Sequence, residues 1–513
     1  MTKIKAQAAK QAYNSPRFPM TSTSPHTPTL APLVATTPLV VAVSRPAQSA
    51  AVRHPAQTDA RRWFALAIGS LVIAGLLSLA VVVGRLPFLS RIIDDPLFFK
   101  RCLVVHVDLA LVVWFYAFLA AMLALRSPVS GNRIQTAAFI GAVAGVFAML
   151  AGALVKGAQP VLANYVPVID HPLFAAGLAA FFVGALFYFI AQLAAPSAVI
   201  RATLPADVSI GLQTAAVTVV IAAATWVSAR AGLPDGLDVY TRAEFLAWGP
   251  GHVLQAANAC AMLAVWLWLI ERTTGKPVLR ASAARLIFGV LVLPQAIMPL
   301  LTARGTMDSL YHTGATQLMR WAIFPAIATV LAIGIRHLIR HGKTPTPRSR
   351  VAQTALTGFL ASAGLAVFGM LLGACIRGST TLVPAHYHAS LGAVTVAFMT
   401  AAYFVCESVG SKPNSGVRRE RLWQSAKWQL TLFGIGQTVF VLGFAIGGAY
   451  GLGRKTYAAE QHVRSAGELT GLVVMGLGGL VAVAGGLWFL FLILREMRRG
   501  WLPASAALST PTA

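Results

Sequence analysis

"VPAHYHASLGAV", residues 383–394, opens the apolar run 386–407 with two histidines one residue apart, His386 and His388. Ionisable rings are costly in hydrocarbon and, where they occur, mark functional sites. Residues i and i+2 of an α-helix stand about 200° apart. A single helix carrying His-x-His therefore offers one imidazole to each of two opposite neighbours. Neutral imidazole is a common ligand of haem iron and of copper. The pair reads as one rod serving two metal centres.

Working outward, the whole chain has the same character. Of its 513 residues 57% are hydrophobic and 11% charged, with a mean hydropathy of +0.70. That balance excludes a soluble enzyme and fits a polytopic membrane protein. Apolar stretches of about 20 residues, enough to cross roughly 30 Å of hydrocarbon as helix, recur twelve times, from 63–84 and 103–125 through 386–407 to 467–494. Backbone polar groups find no water in lipid, so these spans must be helical. The expected fold is all-α, a twelve-helix bundle over residues 61–500. Residues 1–60, rich in Pro, Ser, Thr and Ala, read as a disordered tail, and 501–513 as a short second tail.

The net charge of +25 is distributed unevenly. Of the 41 Lys and Arg residues, 28 fall on the side of the N-terminus and 12 on the other, with Arg320 inside a span. This positive-inside bias places both termini in the cytoplasm. The basic excess orients the chain, and no nucleic-acid partner is expected.

Histidine placement gives the next test. His26 and His54 lie in the tail, His337 and His341 at a helix end, His462 in the last loop, and His171 in a loop beside Asp170. The remaining five, His106, His252, His312, His386 and His388, lie on spans 2, 6, 8 and 10, which run in one direction. All five fall in the same half of the bilayer, as a shared cofactor layer requires and scattered core histidines do not. The four cysteines show no pairing pattern and no C-x-x-C-H, so no covalently attached haem is expected.

These features resemble subunit I of the haem-copper oxidase superfamily, which contains cytochrome oxidases and nitric oxide reductases. The resemblance covers residues 63–499 in helix number, orientation and histidine placement. It implies that His386 binds a high-spin, gas-reducing haem. It also implies that His388, with His106 of "LVVHVDLALVVWF", binds a low-spin haem, expected to be b-type. "AWGPGHVLQAANA" is similar to the family's Trp/Gly-rich run before a histidine of the second metal, which points to His252. "GLGRKTYAAEQ" resembles the family's basic pair at the haem propionates, here Arg454 and Lys455. The partners implied are an electron-donating subunit or cytochrome, a small gas and the lipid bilayer, and the setting is the bacterial cytoplasmic membrane.

The sequence departs from that pattern in two places. No adjacent His-His pair supplies the second metal; its counterpart is either Leu300-Leu301 or Tyr311-His312. In the second alignment His252, His312 and Asp308 form the ligand set, with Asp308 and His312 at i and i+4 on one helix face. That set suits non-haem iron as well as copper. The tyrosine one turn after the helix-six histidine is replaced by Ala256, and Tyr311 is the candidate substitute. Dioxygen reduction is the first expectation. Nitric oxide reduction, with Glu244 or Asp308 as the acidic neighbour, and a non-catalytic haem carrier or gas sensor are the alternatives.

Overall fold

The computed structural model describes residues 55–83, 95, 97–126, 132–195, 204–342, 349–410, 416–454 and 463–501. Among these, twelve helices are long and apolar enough to cross a membrane. They are α1 (Gln57–Ala80), α2 (Phe98–Arg126), α3 (Arg133–Ala153), α4 (Pro172–Leu193), α5 (Ala206–Ala231) and α6 (Val239–Thr274). There follow α7 (Ala281–Ala303), α8 (Ser309–His341), α9 (Arg350–Cys375), α10 (Leu382–Val409), α11 (Gly416–Ala449) and α12 (Ala466–Arg499). The expected tail lies outside the described residues up to residue 54. Its boundary moves, because helix already begins at Pro55 and Asp59, Ala60 and Trp63 are buried. Proline suits a first helical turn, where its missing N–H would be unpaired anyway. The tail expected over 501–513 lies outside the described residues beyond Trp501.

Burial ranks the helices. The apolar windows of α6 and α10 are 83% buried and that of α2 72%, whereas those of α1, α7, α8, α11 and α12 are 33% buried. Helices that are apolar all round belong at the centre of a bundle. The three most enclosed rods are thus the ones carrying His252, the His386/His388 pair and His106. By contrast, α8, with His312, lies at the periphery.

Close packing elsewhere depends on small residues. A Cβ on Gly443 of α11 would meet the Met475 backbone of α12, and one on Gly478 would meet the Phe440 backbone. The two backbones touch there, and no larger side chain fits between them.

Three irregularities interrupt the spans. In α2 the six residues Asp108–Val113 form a π-helix that begins two residues after His106. A second π-turn, Met319–Ile323, lies in α8, and Leu293–Ile297 of α7 is a 3₁₀ turn containing Pro294. π-Bulges in helices collect at functional sites. Outside the helices, two strands, β1 (Gln159–Val161) and β2 (Val168–Asp170), pair antiparallel in register Val161 with Val168. This hairpin, between α3 and α4, is a departure from the all-helical expectation. His171 directly after it caps α4, its Nδ1 accepting from the Leu173 N–H at 3.2 Å.

The start of α2 is pinned by a buried cation. Arg101, 1% exposed, donates from Nε to the Ala153 carbonyl at 2.7 Å and from Nη1 to the Ala158 carbonyl at 3.3 Å. Its Nη2 donates to the Asp95 carboxylate. That bond holds the Asp95 carboxyl below the usual carboxylate range.

Candidate metal and cofactor centre

Consecutive crossing helices alternate in direction, so α2, α6, α8 and α10 start at the same end of the bundle. His106 lies about 12 Å below the start of its helix, His252 about 20 Å, His386 about 6 Å and His388 about 9 Å, at 1.5 Å per residue. All five histidines, His312 included at about 5 Å, lie in the first half of their own helices.

His106 and His386 are held in the same manner. The Nδ1 of His106 lies 2.8 Å from the Ala74 carbonyl of α1. The Nδ1 of His386 lies 2.7 Å from the Gly369 carbonyl of α9. A carbonyl acceptor makes Nδ1 the N–H and leaves Nε2 with its lone pair, the usual arrangement of a metal-binding histidine. Neither Nε2 has a hydrogen-bond partner among the described residues. Gly373 of α9 makes the room for His386, since a Cβ there would sit 2.8 Å from its Nδ1.

His388 faces a different neighbour. Its ring stacks on Phe444 of α11 at 5.2 Å and 8°, with Phe440 edge-on at 5.1 Å. The ring nitrogens make no hydrogen bond among the described residues. His388 and His106 stand on two of the three most enclosed helices, α10 and α2. Asp108, two residues below His106, is fully buried, and neither carboxyl oxygen has a partner among the described residues. Such an orphaned group calls for an occupant or water that pairs it. Two imidazoles with open nitrogens on the enclosed rods α2 and α10 fit a pair of ligands that would hold one haem. His386, turned toward α9, fits a second.

The residues proposed for a second metal are arranged otherwise. The Nδ1 of His252 lies 2.7 Å from the Trp248 carbonyl, and its Nε2 lies 2.9 Å from the Tyr165 hydroxyl. Both ring nitrogens are thus engaged. His312 sends Nε2 to the Thr306 carbonyl at 3.0 Å and, like His252, packs against the Trp248 indole. Asp308 caps the start of α8, accepting from the Leu310 N–H at 2.8 Å. That bond, with the Arg304 guanidinium at 2.9 Å, holds its carboxyl below the usual range. Leu300, the other counterpart, is 70% exposed and, like Leu301, has no donor atom. Among the described residues no three His, Cys, Asp or Glu side chains converge on a common point. The donor set does not fit a second metal as it fits the haems.

Tyr311 occupies a gap in a helix. Pro250 inside α6 has no N–H, and its ring crowds the preceding turn. There the Tyr311 hydroxyl accepts from the Gly249 N–H at 2.8 Å and donates to the Phe245 carbonyl at 2.6 Å. The hydroxyl stands in for a broken backbone bond. Tyr311→Phe leaves both backbone groups unpaired at a cost of about 1–3 kcal/mol. The expected result is a lower Tm in a thermal-shift assay with pigment content unchanged at low temperature.

Tyr165, which the sequence reading did not single out, is in the β1–β2 connection. It is the sole non-glycine among the described residues with a left-handed backbone, at φ 67°, a conformation strained for a bulky residue. Glu244 of α6 holds the turn, accepting from the Asn164 backbone N–H at 2.8 Å and from its side-chain amide at 3.0 Å. Burial and the Glu244 charge push the Tyr165 phenol well above its usual range, so it remains an O–H donor. No local pattern in "NYVPVID" announces the contact, because loop and α6 meet only in three dimensions. Arg454, at the same end of the bundle, donates from Nε to Ser379 at 2.8 Å, just ahead of α10. Lys455 lies outside the described residues.

Comparison with known proteins agrees with this architecture. The chain is 30% identical over 350 residues to an uncharacterised protein of Aquifex aeolicus (strain VF5), covering 68% of this chain and 84% of that one. It is 23% identical over 502 residues to an uncharacterised protein of Rickettsia prowazekii (strain Madrid E), covering 85% and 96%. A solved structure of a heme-copper terminal oxidase dimer shares the fold, with a TM-score of 0.61 at 14% identity over 88% of this chain and 85% of that one. Residues 60–482 match the family of cytochrome c and quinol oxidase polypeptide I. The chain belongs to that family, and it is a multi-pass membrane oxidoreductase of the haem-copper oxidase type.

Proposed function

We propose that this chain is the haem-bearing catalytic subunit of a terminal respiratory reductase whose substrate is dioxygen. The observation that supports it most directly is the divergence of the two α10 rings. His386 is tied to α9 through Gly369, whereas His388 packs on Phe444 of α11. On this reading His106 and His388 hold a low-spin haem, and His386 holds a high-spin haem on the other flank of α10. When bound, the two haems would supply one-electron carriage and reduction of a small gas.

The chain's own residues set the stage for that chemistry. The Ala74 and Gly369 carbonyls fix the tautomers of His106 and His386 and make the opposite nitrogens better donors. Arg454, held by Ser379, is the proposed cation that offsets propionate charge, with Lys455 beside it. The apolar shell of α2, α6 and α10 excludes water. The positive-inside bias supports cytoplasmic termini, which puts the histidine layer in the outer half of a bacterial cytoplasmic membrane. With no C-x-x-C-H in the sequence, electrons come from a partner subunit or cytochrome.

Dioxygen is favoured by the Tyr165 phenol on His252, which supplies the hydroxyl lost at Ala256. Nitric oxide is the second reading, supported by Ala256 itself. Gas consumption by the reduced, purified complex separates them. The expected result is dioxygen uptake at least about tenfold faster than nitric oxide uptake, a difference of roughly 1.4 kcal/mol in barrier. The reverse ratio assigns nitric oxide, and no uptake of either assigns a carrier or sensor.

A further inference from the structure

We infer that Tyr165 is the positioning partner of His252 and occupies the nitrogen that a second metal would need. The distal side of this site is then a phenol–imidazole pair and holds neither copper nor non-haem iron. The inference rests on the reading of His252 as the residue facing the gas.

The contrast among the histidines carries the argument. His106 and His386 each commit one ring nitrogen to a carbonyl and keep the other open. His252 commits both. Its Nδ1 faces the Trp248 carbonyl at 2.7 Å, which only an N–H can satisfy, so Nε2 carries the lone pair. That lone pair accepts the Tyr165 O–H at 2.9 Å. A metal at Nδ1 would have to displace a carbonyl of the same helix, and one at Nε2 would have to displace the phenol.

The phenol is not free to leave. Glu244 grips Asn164 with both carboxylate oxygens, and Tyr165 is held at φ 67°. Its ring lies directly on α6, where a Cβ on Gly251 would fall 2.4–2.7 Å from it. Strain of this kind persists only where its surroundings over-determine it. The helix also uses glycine at the one position that lets an aromatic ring from the hairpin reach the histidine. Of the remaining candidate ligands, Asp308 is committed to Arg304 and the α8 cap, and His312, with Nε2 on the Thr306 carbonyl, offers one nitrogen, too few for a metal while Tyr165 holds His252.

The test is a metal count on the intact complex, with haem measured in the same samples. The expected result is iron equal to haem, with copper and other transition metals far below one per chain, also after incubation with excess Cu(I) and dialysis. Tyr165→Phe keeps the ring on Gly251 and removes only the hydroxyl. Its retained copper should rise about tenfold over the wild type, as expected when one competing hydrogen bond is lost. One stoichiometric copper or non-haem iron in the wild type, absent from His252→Ala, would overturn the inference, and so would a Tyr165→Phe protein with no gain. Loss of haem from the wild type would instead count against the reading of His106, His386 and His388, which the same samples report separately.

Discussion

Replacing His388 with Ala removes the low-spin haem and leaves the high-spin haem in place; replacing His386 does the reverse. Each single substitution therefore discards about half of the pigment and a different half of the spectrum, since axial ligation decides spin state and retention. The prediction follows from where the two rings point. His388 packs on Phe444 and Phe440, and His386 is hydrogen-bonded to Gly369, so neither can take over the other's duty. His106→Ala should reproduce His388→Ala, because both are assigned to one iron. Tyr387 lies between them in sequence and is 43% exposed; Tyr387→Phe should keep both haems. Optical difference spectra with a pyridine haemochrome assay on the four variants check the set.

Arg101→Met is expected to carry the largest stability loss of any change that leaves the histidines intact. Arg101 is 1% exposed, and its guanidinium ties the start of α2 to the last carbonyl of α3, to the Ala158 carbonyl of the α3–β1 link and to Asp95. Its two bonds to carbonyls contribute on the order of 3 kcal/mol together, and methionine supplies no donor. His106 follows five residues later, so the low-spin haem should be lost at a lower temperature than the high-spin one. Arg101→Lys should rescue only part of the loss, because an ammonium cannot reproduce the planar fork. The pH dependence has a definite sign. The folded Asp95 carboxyl lies below its ordinary value, so the pairing contributes fully above about pH 4 and is lost only as acid reaches the lowered folded value. Between pH 5 and 8, a range of roughly three units over which a carboxylate stays ionised, the difference between wild type and variant should be flat.

Much of the bundle was legible because hydrocarbon leaves the backbone so few options. Twelve apolar runs became twelve helices, and the run that opens with His386 and His388 became one of the two most enclosed of them. The end of the tail moved by a few residues, since in "AVRHPAQTDARRW" Pro55 is a weak start signal amid polar residues that read equally as coil. The π-turn after His106 was illegible for a related reason: "DLALVV" has no proline or glycine to mark a change of winding. The second metal site was the least legible part. Tyr311 was the candidate substitute for the tyrosine replaced by Ala256, and its hydroxyl mends the α6 backbone at Pro250. Asp308 and His312 share a helix spacing, but the Arg304 guanidinium and the α8 cap claim the carboxylate. Tyr165 was missed because its partner is 87 positions away. Spacing rules describe single helices, and this contact is made between a hairpin and a helix.

The most direct test is low-temperature electron paramagnetic resonance of the oxidised, purified complex, read with haem per chain. The account predicts two haems, one giving the low-spin signal of bis-imidazole iron and one high-spin, with the low-spin signal abolished by either His106→Ala or His388→Ala. A single haem per chain, or a low-spin signal that survives both substitutions, would contradict it.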